Sequence, residues 1–302
     1  MNATLHSRRE QILQQIDNLD SIPSVEAIVV PLISYLQQPL ENVDTQRVID
    51  LISHDNSLAA QCLHMANSPL FGRWQAITTT RGAVIALGLQ RMREVALSCC
   101  VLKLMPGAGD NANPLVFWEH SLACAFICRR IAKRIGMKDP EQAYLAGLLH
   151  DVGFIIALRL LQEDFYSAMR EAASRNCSMD LVEEERFAID HCEMGKLLAR
   201  KWRLNPEIIE VVSYHHRSSM LAVNRALIAL VSLSDRLCRI HGLGYGYPEN
   251  ITINWESDDA ISTIRDSWPI ARSVNWPRFS SELDSYLGDV RKLVSVLYRF
   301  NN

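Results

Sequence analysis

The chain is predicted to be all-α: a multi-helix bundle with an N-terminal helical subdomain. Three observations predict it. Apolar residues recur at helical spacing almost throughout the 302 residues. Strand-like alternation is confined to one short stretch at 251–255. Capping chemistry marks the ends of the periodic segments: Asn113–Pro114, Asp139–Pro140 and Asn205–Pro206 each place a capping side chain before a proline suited to a first helical turn, and Gly136 and Gly242 stand where helices should stop.

In order, the pattern predicts helices near 7–18, 25–38, 44–54, 56–67, 79–87 and 89–104, then 114–136, 139–149, 157–175, 181–202, 206–216, 223–240 and 279–299. The Gly/Asn/Pro run at 106–114 is the best internal boundary, and the loop at 242–248 sets off a tail. The expected organisation is an N-terminal helix (1–19), an N-terminal helical part (20–110), a histidine-bearing core (111–243) and a C-terminal tail with an amphipathic helix (244–302). Trp255, Trp268 and Trp276 precede that helix and are expected to dock it on the core or to form a homodimer contact.

Composition narrows the function classes. A chain of this length buries about 75% of its unfolded surface and needs no disulfide to fold. With 48% hydrophobic and 22% charged residues it fits a soluble globular protein. Thirty-one basic residues against 34 acidic ones, net −3, argue against a nucleic-acid partner. The eight cysteines form no CxxC pair and read as reduced thiols, most of them in apolar helices, Cys124 and Cys128 included. Residues 1–19 are too polar for a signal peptide, no uninterrupted apolar run reaches the ~20 residues of a membrane span, and neither end carries a lipidation signal. The expectation is a cytoplasmic protein with no membrane partner.

The chemistry sits in one ordered set: His120, His150 and Asp151, His191, His215 and His216, and Asp235. The seven fall on five different predicted helices or helix ends, on apolar faces. Phe117, His120, Cys124 and Ile127 share a face, as do Phe187, His191, Met194 and Leu198, and Ile228, Val231, Asp235 and Cys238. Ile208 and Val212 lead to His215, and Ile209 and Val212 to His216. A carboxylate among apolar neighbours is expensive unless paired or bound to metal. Imidazoles and carboxylates converging in a bundle suit a hard-to-borderline transition metal. From the residues alone, a metal site and a satisfied buried polar cluster both stand.

Residues 146–153 read Ala-Gly-Leu-Leu-His-Asp-Val-Gly, which resembles the signature of HD-domain metal-dependent phosphohydrolases. The resemblance implies one metal on His120, His150, Asp151 and Asp235. The added His191 and His215–His216 resemble the second-metal ligands of the HD-GYP subfamily, implying a second metal on Asp151, His191, His215 and His216. Two divalent ions are expected, iron first, with manganese or zinc as alternatives. The likeness fails where substrate would bind. Phe154 stands where HD-GYP enzymes carry a phosphate-binding lysine, and Arg217-Ser-Ser-Met follows the His pair where the subfamily has its substrate loop. The Gly-Tyr-Gly-Tyr-Pro run at 244–248 follows Asp235 instead of preceding it and reads as a turn after a helix. A second dyad, His54–Asp55, lacks the small-apolar lead, and Asp55 reads as a helix cap.

The N-terminal part carries further motifs: Ile22-Pro23, Val-Ile-Asp-Leu-Ile-Ser-His-Asp-Asn-Ser-Leu-Ala-Ala at 48–60, Met-Ala-Asn-Ser-Pro-Leu-Phe-Gly at 65–72, and Ala-Val-Ile-Ala-Leu-Gly-Leu-Gln-Arg-Met-Arg at 83–93. In this order they resemble the HDOD family of bacterial regulators, over roughly residues 20–216. That implies an HD-domain-like bundle, a signalling role and a signalling protein partner, with Arg81, Arg91 and Arg93 either a solvated or a partner-binding face. The metal centre would then be structural, sensory or a relic. The rival expectation is a phosphohydrolase acting on a nucleotide, cyclic dinucleotide or phosphoester, with Arg217 as the nearest cation. A third is redox or oxygen sensing by a di-iron centre. No catalytic residue is assigned.

Overall fold

The computed structural model describes residues 3–18, 26–71, 76–106, 114–217, 222–247 and 249–299, which carry helices and no strand. The chain forms two compact units. One is Met1–Ile22 with Pro106–Ser280; the other is Pro23–Met105 with Ser281–Asn302. The break at 106 falls in the Gly/Asn/Pro run, whereas the first helix and the tail are distributed between the units by packing that sequence composition does not encode.

The first helix, α1 (Ala3–Asp17), belongs to the larger unit. The smaller unit follows with α2 (Glu26–Leu36), α3 (Thr45–Ser53), α4 (Asn56–Ala66), α5 (Thr80–Leu87) and α6 (Leu89–Leu104). Asp44 caps α3 by accepting from Arg47 N at 2.9 Å. Asp55 caps α4 by accepting from Leu58 N at 2.9 Å and also pairs with Lys103, so the second His-Asp dyad is a capping device. The core here is Val48, Ile52, Leu58, Met65, Met92 and Val95, each fully buried. The motif at 22–25 lies outside the described residues.

Gly88 joins α5 to α6 with φ +79 and ψ 160, a region that only glycine enters without strain. Gly88→Ala is therefore expected to destabilise the protein by about 1–3 kcal/mol although open space surrounds the position. Urea denaturation checks this; an unchanged midpoint would show that the turn relaxes.

The larger unit continues with α7 (Leu115–Arg134), α8 (Pro140–Leu149), α9 (Gly153–Leu160), α10 (Glu163–Arg175), α11 (Met179–Phe187), α12 (His191–Lys201), α13 (Pro206–Tyr214), α14 (Arg225–Ile240), α15 (Asp259–Ser267) and α16 (Trp276–Ser281). The last helix, α17 (Leu283–Arg299), returns to the smaller unit and packs on α4. Asp139 caps α8 through Glu141 N and Gln142 N, and Gly136 and Gly242 end α7 and α14 at φ +71 and +73. Asn113 lies outside the described residues.

Three details depart from the sequence pattern. The segment 157–175 divides between α9 and α10 at Gln162, and 181–202 divides between α11 and α12 at Ala188, both non-glycine residues at positive φ. Neither break carries a Gly or Pro signal, and the apolar period runs through both. The alternation at 251–255 forms no strand; α15 follows it, capped by Asp258, which also accepts from Arg236 of α14 at 2.5 and 2.9 Å. A short helix, α16, precedes the long tail helix and ends at Ser281. Trp276 is buried against Phe279, with Trp255 and Trp268 half-buried.

The stretch Pro140–Leu160 is long and apolar enough to cross a membrane, but the chain turns within it at 150–152 and 89% of its apolar window lies inside the fold.

Candidate metal centre

All seven predicted residues meet at one place inside the larger unit. His120 comes from the second turn of α7, His191 begins α12, His215 and His216 directly follow α13, and Asp235 comes from α14. His150 and Asp151 occupy the tight turn between α8 and α9, closed by Val152 N to Leu149 O at 3.1 Å and Phe154 N to Asp151 O at 3.0 Å. Neighbours on a regular helix point about 100° apart; this turn brings both side chains to the same centre.

Asp151 organises the cluster. Its Oδ2 lies 3.5 Å from His120 Nε2 and 3.2 Å from His150 Nε2, and its Oδ1 lies 3.2 Å from His215 Nε2 and 3.6 Å from His191 Nε2. Asp235 Oδ1 is 3.2 Å from His120 Nε2, and Asp235 Oδ2 is 3.9 Å from His216 Nδ1. His216 is the one member whose side chain reaches solvent, at 16% exposure.

The outer nitrogens fix the tautomers. His120 Nδ1 donates to Leu243 O at 2.6 Å, His150 Nδ1 to Gly147 O at 2.7 Å, and His215 Nδ1 faces Val211 O and Val212 O at 3.2 Å each. A carbonyl only accepts, so these Nδ1 atoms carry the protons and the Nε2 lone pairs point inward. Inside, His120 Nε2 and His150 Nε2 approach to 3.3 Å, and His191 Nε2 and His216 Nε2 to 3.0 Å. Asp151 Oδ1 and Asp235 Oδ1 are buried without a hydrogen-bond donor. Converging lone pairs and orphaned carboxylate oxygens suit a cation between them, and the donor set fits a borderline divalent metal.

Electrostatics agree. Burial resists ionising Asp151, but His150, His215 and His191 hold its carboxyl well below the usual range. Burial likewise opposes ionisation of Asp235, and the Arg239 guanidinium and His120 overrule it. Burial opposes charge on His150, yet Asp151 and Asp235 lift it to about 9. His216 is pushed well below its ordinary value by burial and by His215 and His191. The cluster thus attracts positive charge and denies it to one imidazole, as a site shared between protons and metal would.

Three supporting residues escaped the sequence reading. Glu183 of α11, fully buried, accepts from His191 Nδ1 at 2.6 Å and His191 N at 2.9 Å. Its signal was its i,i+4 relation to Phe187; the acidic run at 183–185 concealed it. Arg239, one turn after Asp235, donates to Asp235 Oδ2 at 3.2 Å and to Glu249 Oε2 at 2.8 Å. Tyr245 corrects the reading of 244–248 as a mere turn: its buried hydroxyl donates to Asp151 Oδ2 at 2.9 Å, and its ring lies 4.8 Å from that of His120. No spacing rule signals that contact, because the loop's path back over α7 is tertiary.

Tyr245→Phe removes that donor and leaves a buried carboxylate oxygen less satisfied. It should lower the stability of chelator-treated protein by about 1–3 kcal/mol. Equal denaturation midpoints for the two proteins would place the hydroxyl elsewhere.

Where HD-GYP enzymes would carry lysine, Phe154 is fully buried and stacks on His191 with ring centroids 4.2 Å apart. Arg217 donates to Asp190 Oδ2 at 3.0 Å, so this cation is paired with the capping carboxylate of α12.

The HDOD domain model matches residues 22–218. The chain belongs to the HDOD family. An HDOD domain protein of Geobacter sulfurreducens is 30% identical, with 97% of this chain and 98% of that one superposed at a TM-score of 0.80. A Treponema pallidum protein is 25% identical over 203 residues, 66% of this chain and 38% of that protein. Ribonuclease Y of Geobacter metallireducens is 28% identical over 120 residues, 40% of this chain and 17% of that enzyme. The chain thus spans well under half the length of these two relatives. Asp235, Arg239 and Tyr245 lie beyond the matched HDOD region, so the cluster is completed by α14 and the loop after it.

Proposed function

We propose that this HDOD protein is a regulatory signal-transduction protein built around a two-metal centre. The observation that carries the centre is the division of Asp151: one carboxylate oxygen faces His120 and His150, the other His191 and His215. His120, His150, Asp151 and Asp235 would hold one divalent ion, and Asp151, His191, His215 and His216 the other. Iron is the leading choice, with manganese or zinc as alternatives. When bound, such a pair would supply Lewis acidity that lowers the pKa of water. The chain's own residues hold the ligands: backbone carbonyls and Glu183 lock the imidazoles, Tyr245 steadies Asp151, and Arg239 steadies Asp235.

A regulatory role is favoured over turnover because, among the described residues, the cations named beside the cluster are already paired. Phe154 fills the lysine position, Arg217 pairs with Asp190, and Arg239 is spent on Asp235 and Glu249. The signalling partner would be a protein, met in the cytoplasm and not at a membrane or nucleic acid; a homodimer is the simplest assembly. The second reading is phosphohydrolysis of a nucleotide, cyclic dinucleotide or phosphoester. It draws on the complete ligand set, with His216 at a solvent-facing edge, and on the partial likeness to Ribonuclease Y.

Plasma mass spectrometry of protein purified without chelator tests the centre. About two equivalents of metal per chain are expected; metal-free protein that stays so after anaerobic reconstitution with iron, manganese and zinc would overturn the proposal. Phosphate release by the loaded protein from a phosphoester panel would move the reading to the hydrolase.

A further inference from the structure

A sulfur donor stands at the second metal position, outside the set that the HD resemblance supplies. Cys192 follows His191 on α12 and is buried. Its Sγ lies 3.7 Å from His191 Nε2 and 3.9 Å from each ring nitrogen of His215. His191, Cys192, His215 and His216 each offer a donor atom within 4.8 Å of the others. Two other buried thiols are placed differently: Cys124 and Cys128 contact each other at 3.9 Å.

The distances can be compared with a tetrahedron. Metal–sulfur and metal–nitrogen bonds of about 2.3 and 2.05 Å require S···N edges of about 3.6 Å and N···N edges of about 3.3 Å. The observed S···N separations are 3.7 and 3.9 Å, and His191 Nε2 to His216 Nε2 is 3.0 Å. Asp151 Oδ1, buried and without a donor, faces the same place from 3.2 Å off His215 Nε2. The second position therefore has one donor more than a tetrahedral ion needs, and a soft one, whereas the first has only nitrogen and oxygen.

We propose that Cys192 is a thiolate ligand of the second metal position, which makes the two positions chemically unequal. The first is a hard-to-borderline site; the second adds a thiolate to three histidines and the Asp151 carboxylate, which shifts its preference toward zinc or cobalt. Binding forms a metal–Sγ bond and releases the thiol proton to solvent. The inference rests on the two-metal reading and refines it.

The test uses the full chain, stripped with chelator and titrated with Co(II) without oxygen. Wild-type protein is expected to develop a near-ultraviolet thiolate-to-cobalt charge-transfer band. Cys192→Ser and Cys192→Ala should lose it while keeping cobalt d–d absorption, and their zinc affinity at one position should fall by about tenfold or more. Cys238→Ser, which alters another buried thiol, should keep the band. Circular dichroism establishes that each variant is folded; if both Cys192 variants unfold, selenium-edge absorption on selenocysteine-labelled wild type reads the metal–chalcogen bond instead. Cobalt bound without the band, or a band surviving in folded Cys192 variants, overturns this inference alone. No cobalt bound by wild type overturns it together with the metal centre.

Discussion

Asp151→Ala should remove the first metal and uncouple the second. Metal content is expected to fall from about two equivalents to one or fewer, with affinity at the first position reduced at least about 100-fold. Asp151 faces both halves of the cluster at close range, through different oxygens, whereas Asp235 approaches the second half only at 3.9 Å from His216 Nδ1. Without it the first position keeps His120, His150 and Asp235, while the second keeps three imidazoles and the Cys192 sulfur. Asp151→Ala combined with Cys192→Ala should therefore bind less metal than either single variant. Asp235→Ala, by contrast, should empty the first position and spare the second. The discriminating measurement is metal content after desalting, beside calorimetric titration with zinc. Full occupancy in Asp151→Ala would mean that the carboxylate is a bystander and that the division of its two oxygens is accidental.

The reach of the sequence followed the kind of physics involved. Helical period placed most helices, because burying one face of each is what drives their packing. The HD signature and the apolar faces of α7, α12 and α14 located all seven members of the cluster. The motif series of the N-terminal part indicated the HDOD family, which the match over 22–218 establishes. What escaped was set by tertiary contact. Tyr245 reaches Asp151 only because the loop after α14 folds back past His120, whose Nδ1 it also engages through Leu243 O. Glu183 lay in an acidic run that reads as solvated, yet one of the three carboxylates is buried on an imidazole. Cys192 read as a small hydrophobe, which holds for Cys124 and Cys128 but not for a sulfur set against two site histidines. The breaks at Gln162 and Ala188 left no sequence mark because the residues that bend are ordinary ones.

Gly153→Ala should be the most damaging small substitution in the larger unit. The glycine after the His-Asp dyad starts α9 where its backbone meets α12. A Cβ at Gly153 would lie 1.9 Å from His191 O and 2.8 Å from Gly195 N, distances that no rotamer change relieves because both atoms are backbone. The helices must separate, and His191, the first residue of α12, must move with them. A stability loss of about 3 kcal/mol is expected from such overpacking, together with loss of the second metal. Gly195→Ala meets Val212 Cγ1 at 2.7 Å and Gly153 N at 3.1 Å, a milder clash in which a side chain can yield, so its effect should be smaller. Gly288 of α17 supplies the control: nothing lies within 4 Å of a Cβ there, and Gly288→Ala should stabilise the helix by about 0.5–1 kcal/mol. Denaturant midpoints and metal content of the three variants test the series. If Gly153→Ala melted like wild type with its metals in place, α9 and α12 would be free to slide, and the glycine of the dyad would owe its place to something other than holding His191 against Asp151.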